Sequence, residues 1–187
     1  MPKLILPVAA SRSPTPNGRA GSFRHALGRG PPSGRMDRLR ELRADRETPG
    51  GVALFVDGPN VLRDEFDVDL DDVREIAGEV GPLAVTRLYL DEHATPPLIQ
   101  AGEARGYDVR VTSGDVDVKL AVDATELVLD DGVDVLAVAS RDTDFKPVFE
   151  QAERRGVRTL AIAPGEHGRS DALRNAATDA VVLGGDE

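Results

Sequence analysis

Apolar residues enter this chain in short bursts, and the first sustained one sets the pattern for the rest. Val52-Ala-Leu-Phe-Val is unbroken and stops on Asp57-Gly-Pro-Asn60. A run this short, rich in large and β-branched side chains, predicts a strand buried on both faces, as in a parallel sheet. Asp57 then ends that strand, at the edge where open α/β sheets form their ligand crevices. Asp57 and Asn60 also suit a simple Asx-type turn, which needs no ligand. Downstream the period changes to that of a helix: Val73, Ile76, Ala77 and Val80 recur within Leu70–Val80. Strands are predicted over 82–90, 107–112, 133–139, 157–163 and 180–183. Helices are predicted over 97–105, 117–129, 145–155 and 170–177, two of them stopped by Gly106 and Gly156. Strands alternating with helices at this spacing imply right-handed βαβ units and a three-layer α/β/α sandwich around a mainly parallel sheet.

Three groups of acids fall at the predicted strand ends. The first is Asp57. The second lies in Ser113-Gly-Asp-Val-Asp117-Val-Lys119-Leu-Ala-Val-Asp123. Leu120, Ala121, Ala124, Leu127 and Val128 make the core-facing stripe of that helix, and the stripe begins on Asp117. An acid heading a buried stripe needs a partner. Asp123 lies off the stripe, four residues after Lys119, where an exposed i,i+4 ion pair explains it; Asp117 therefore ranks above it. The third group is Ser140-Arg141-Asp142-Thr-Asp144, after the fourth strand. Asp144 is placed to cap the helix from Phe145, whereas Asp142 has no such local role. Carboxylates that converge without basic partners raise one another's pKa values and call for a cation. Hard oxygen donors with no Cys and no nearby His point to Mg²⁺ or Mn²⁺ rather than structural zinc, and such an ion suits phosphoryl chemistry.

These motifs, in this order, resemble the NYN domain family, a branch of the PIN-like ribonuclease superfamily: Phe55-Val-Asp-Gly-Pro-Asn60, Val116 to Asp123, Ser140 to Phe145, then Ser170-Asp-Ala-Leu173 and Asp179-Ala-Val-Val. The resemblance covers about residues 51–184. It implies a PIN-like fold with strands one and four adjacent, so that Asp57 meets Asp142. It further implies metal-dependent endonucleolytic cleavage of RNA. Asp57, Asp117, Asp142 and Asp144 are the implied ligands, Asp123 a weaker candidate, and Asn60 a supporting polar group. Lys119, Ser140 and Arg141 are the candidate substrate contacts. The chain departs from the family pattern at Arg141, where Gly is usual, and at Ser113, where Lys is common. Two other functions fit the same fold: a non-catalytic RNA-binding or adaptor module, and a small nucleotide phosphohydrolase.

Charge divides the chain. Residues 1–50 carry ten basic and four acidic side chains, a net +6; residues 51–187 carry thirteen and twenty-nine, a net −16. The acidic body, poor in Lys and aromatics, resembles proteins of a salt-adapted cytoplasm, and it predicts repulsion of RNA at low salt, so that RNA binding weakens less with salt than phosphate-neutralising proteins normally do, or even strengthens. Residues 1–50, with prolines at 14, 16, 31 and 32 and no apolar period before Arg35, read as a disordered basic arm with a short helix over 36–47. Met36 is expected to be the initiator. No apolar run is long enough to span a bilayer, and Pro7 interrupts the weak signal-like opening, so the expected location is cytoplasmic, with homo-oligomer or protein partner left open. His25, His93 and His167 fall outside the motifs, and Gly165-Glu-His-Gly168 lacks the Lys-Ser/Thr of a P-loop.

Overall fold

The computed structural model describes residues 51–63, 68–130, 132–165 and 170–183. The expected basic arm, the helix at 36–47, His25 and His167 lie outside them. The elements, in order, are β1 (Val52–Asp57), α1 (Gly58–Val61), α2 (Leu70–Val80), β2 (Leu83–Asp91), α3 (Pro96–Ala104), β3 (Asp108–Thr112) and α4 (Val116–Leu129). A second half follows with β4 (Val135–Ala139), a 3-10 turn (Thr143–Phe145), α5 (Lys146–Arg154), β5 (Arg158–Pro164), α6 (Ser170–Ala176) and β6 (Asp179–Leu183). Every strand and helix predicted among the described residues is present, with ends shifted by at most two residues.

The strands form one sheet in the order β3-β2-β1-β4-β5-β6, and every pairing is parallel. The chain winds outward from β1 to β3, returns through α4, and winds outward again from β4 to β6. The strand order therefore reverses between β1 and β4, which is the switch point where such sheets bind ligands. Val52 to Val56 are all fully buried because alternate side chains enter two different cores. Val52, Leu54 and Val56 join α2 and residues of α3 on one face. Ala53 and Phe55 join α4, α5 and Leu173 on the other. That two-sided burial is why β1 reads as continuous rather than alternating.

Two elements are absent from the sequence reading, the 3-10 turn and α1. Gly58-Pro-Asn60 continues into a single helical turn instead of a bare turn, with Asp57 as its N-cap. Gly58 is required there by close approach: a Cβ would strike the Leu90 side chain and come within 2.7 Å of the Tyr89 carbonyl oxygen. Among the described residues no helix is long and apolar enough to cross a membrane.

Candidate metal and RNA site

The carboxyl ends of β1 and β4 lie side by side, since Val56 pairs with Ala139, so the next residues, Asp57 and Ser140, face each other across the switch point. Both are buried, at 1% and 0% exposure. The Ser140 hydroxyl donates to Asp57 Oδ2 at 2.8 Å, and the same Oγ accepts from the Asp142 backbone N–H at 3.0 Å. Asn60 adds a donor from Nδ2 to Asp57 Oδ2 at 2.6 Å, and its backbone N–H lies 3.4 Å from Oδ1. Burial pushes the Asp57 carboxyl above its ordinary pKa; the bonds from Asn60 and Ser140 pull it back, and the negative charge of Asp142 pushes with burial. Asp57 thus caps α1 from the end of β1, as the turn-forming reading expects, while its carboxylate is tied through Ser140 to the Asp142 backbone.

Asp117 stands in the first turn of α4, half-buried, where the positive end of the helix dipole favours a carboxylate. One oxygen from each of Asp117, Asp142 and Asp144 lies within 4.8 Å of the others. An octahedral Mg²⁺ at about 2.0–2.1 Å from its ligands sets their oxygens about 3 Å apart when adjacent and about 4.2 Å when opposite. Small side-chain shifts close the gap, so a hard, oxygen-liganded cation fits this donor set. Asp57 lies outside this group of three, and Ser140 is its link to Asp142.

Several expectations need correction. Asp142 was expected to have no local structural role, yet its Oδ1 accepts from the Asp144 backbone N–H at 2.9 Å and caps the 3-10 turn. The alternative in which Asp144 merely caps the following helix does not hold: Phe145 is the residue before α5, with no side-chain cap, and Asp144 is exposed. Ser140 was a candidate substrate contact; being fully buried, it instead holds Asp57 and Asp142 together. Arg141 is half-buried beside Asp142.

Asp123 departs furthest from expectation. Its pair with Lys119 is present, Nζ to Oδ1 at 2.6 Å, but the carboxylate is buried at 7% exposure. Six residues beyond Asp117 it has turned about 120° round the helix, away from Asp142 and Asp144 and toward β2. There Oδ2 accepts from the Tyr89 hydroxyl at 2.9 Å, with Arg87 Nη1 at 3.7 Å. Burial alone would raise the Asp123 pKa, but the bonds from Lys119 and Tyr89 and the charges of Lys119 and Arg87 outweigh it and hold the carboxyl low. Asp123 is an anchor of α4, not a member of the oxygen group. Tyr89 and Arg87 were missed; the signal was a polar pair two apart, hence on one face, in an otherwise apolar strand.

The family model described as the NYN domain matches residues 51–184. An uncharacterized protein of Methanocaldococcus jannaschii is 41% identical over 147 residues, 79% of this chain and 61% of that protein. The chain therefore spans about three-fifths of that relative's length. A protein of unknown function from Vibrio parahaemolyticus superimposes with a TM-score of 0.60 over 74% of this chain and 95% of its own, at 19% identity, a likeness of fold alone.

Proposed function

The chain belongs to the NYN domain family, a branch of the PIN-like nuclease superfamily, and on that premise we propose that it is a metal-dependent endoribonuclease that hydrolyses RNA phosphodiester bonds. The observation that carries the reading is the oxygen group of Asp117, Asp142 and Asp144 within 4.8 Å at the switch point of the sheet, inside the matched region. These three would hold Mg²⁺ or Mn²⁺, with Asp57 adding a fourth negative charge from β1. Bound there, such a cation would polarise a phosphate oxygen and make a coordinated water a stronger acid.

The protein's own part is positioning. Ser140 fixes the chain direction after β4 by holding the Asp142 N–H, and Asn60 holds the Asp57 carboxylate from the α1 side. Both acts pin carboxylates that would otherwise swing apart under mutual repulsion. Hydrolysis adds water across one P–O bond, hydroxide to phosphorus and a proton to the departing ribose oxygen. A site on rigid strand ends holds the phosphate still while that happens.

Incubating the full chain with labelled RNA, with Mn²⁺ and then with EDTA, tests the reading. Internal fragments that require the metal and vanish in Asp142→Asn are expected. Binding without cleavage would assign the chain to the adaptor class instead. Inorganic phosphate released from nucleotides, with RNA left whole, would make it a phosphohydrolase.

A further inference from the structure

Helix α4 packs one side on the sheet and leaves an apolar stripe uncovered on the other. Of the four large apolar side chains that the described residues leave exposed, three stand on α4: Val118, Val122 and Leu129, at 57%, 47% and 42%. None of the three belongs to either core. With the half-buried Thr125 they recur at intervals of four, three and four, the spacing of a two-helix seam. At about 100° per residue the four positions fall within about 60° of arc. The Thr125 hydroxyl already donates to the Ala121 carbonyl oxygen of its own helix at 2.7 Å, so covering it strands no donor.

The charges beside the stripe decide what can cover it. Asp115 and Glu126 are exposed on the same flank as Lys119, so a chain of phosphates would be repelled there. A second α4 running antiparallel would not. A two-fold axis crossing the stripe midway between Val122 and Thr125 sets Val118 opposite Leu129 of the second copy, and Val122 opposite its Thr125. Lys119 and Glu126 lie about 80–100° round from Val118 on one flank. The same axis brings each to within about two residues, or about 3 Å along the helix, of facing the other. Glu126 makes no ion pair among the described residues, and Lys119 gives Asp123 one of its three donors. Asp115 and Asp130 approach each other only at the two exposed ends. The patch is therefore complementary to itself, as a two-fold interface requires.

We propose that α4 is a homodimer seam, in which two copies of this chain pack antiparallel along Val118, Val122, Thr125 and Leu129 and each Lys119 pairs with Glu126 of the other copy. The seam does not depend on the nuclease reading. Asp117 lies about 100° round from Val118 on the flank away from Lys119, so both oxygen groups stay outside the seam, near opposite ends of the helix pair. A helix of 14 residues is about 20 Å long and covers less than the about 1,600 Å² of a standard stable interface. The dimer is accordingly reversible and fills at high micromolar chain.

The test is sedimentation equilibrium of the full chain from low to high micromolar concentration, in EDTA so that the metal site plays no part, at about 0.15 M KCl. There the Debye length is about 8 Å, so repulsion between two bodies of net −16 is largely screened while contact pairs across the seam are not. A concentration-dependent dimer is expected. Val122→Asp, which sets two carboxylates at the middle of the seam, should weaken it about tenfold or more, with Tm unchanged because the position is exposed. Glu126→Lys should weaken it several-fold, whereas Glu103→Lys, the same change of charge on an exposed residue of α3, should not. Cross-linking fixes the alignment, and the chain has no cysteine of its own to interfere. Val118→Cys and Leu129→Cys should each stay unlinked under copper phenanthroline. In the antiparallel pair each position lies about 16 Å along the axis from its own copy, whereas a disulfide joins Cα atoms no more than about 7 Å apart. Mixed together, the two variants should form a disulfide-linked heterodimer. A dimer indifferent to Val122→Asp, or Val118→Cys linking to itself as a parallel pair would, overturns the seam. A parent monomeric throughout overturns it too, and loss of RNA binding in Val122→Asp would then give the stripe to nucleic acid.

Discussion

Replacing Ser140 by alanine removes one oxygen from the centre of the site and leaves the packing almost unchanged, so its consequences are those of two lost hydrogen bonds. The first runs from the hydroxyl to the Asp57 carboxylate. A bond to a charged group is worth about 1.5–3 kcal/mol, and because Asn60 Nδ2 still serves the same oxygen, about 2 kcal/mol is the reasonable share. The second runs from the Asp142 backbone N–H to Oγ, and leaving that donor half-buried without its partner costs about 1 kcal/mol more. At roughly 3 °C per kcal/mol for a domain of this size, the metal-free Tm should fall by about 9 °C at neutral pH. The Asp57 bond counts mainly while Asp57 is ionised, so the deficit should shrink as the pH falls through the raised Asp57 pKa. Mn²⁺ affinity should drop by about 10- to 100-fold, as is usual when a group that orients a ligand is lost. Differential scanning calorimetry and Mn²⁺ titration of parent and Ser140→Ala read both effects. A Tm within 2 °C of the parent together with unchanged Mn²⁺ affinity would refute the reasoning, since it would mean that Ser140 neither stabilises Asp57 nor positions Asp142.

Asp57→Asn should raise the metal-free Tm at neutral pH. Burial raises the folded-state pKa of Asp57, so this group's contribution to stability is fully present below the unfolded pKa of about 3.9 and is lost as the pH rises through the folded value. The gain over the parent should vanish in acid, and a gain equal at every pH would contradict the cause. Asp123 carries the opposite sign: its lowered pKa means stability present above the unfolded pKa and lost as the pH falls through the folded one. Asp123→Asn should cost about 2 kcal/mol by weakening a buried, charge-assisted network. Mn²⁺ affinity, read by calorimetric titration, should stay at the parent's value, and a large loss would return Asp123 to the ligand set.

What the sequence disclosed, it disclosed through local periodicity. The unbroken run at Val52–Val56 marked a doubly buried strand, and the acids at strand ends marked the edge of the sheet where the oxygen group of Asp117, Asp142 and Asp144 lies. The stripe beginning on Asp117 set that residue above Asp123, and the oxygen group includes Asp117. What stayed hidden depended on partners far along the chain. Lys119 at four residues' distance was explanation enough for Asp123 until β2 brought Tyr89, 34 residues away, to its other oxygen. Ser140 looked like a mouth residue because its bond to Asp57 spans 83 residues and exists only once β1 and β4 pair. The capping role of Asp142 stayed hidden because it depends on a 3-10 turn ahead of α5, a shift of two residues that propensity does not resolve.

The central claim is that Asp117, Asp142 and Asp144, backed by Asp57, hold one divalent cation as a unit. Isothermal titration of Mn²⁺ into the parent, Asp117→Asn, Asp142→Asn and the double variant measures it directly. One ion per chain is predicted for the parent, a large loss of affinity for each single change, and a double variant hardly worse than either, because residues that serve one ion are not additive. Parent-like Mn²⁺ affinity in Asp142→Asn, or two losses that simply add, would contradict the shared site.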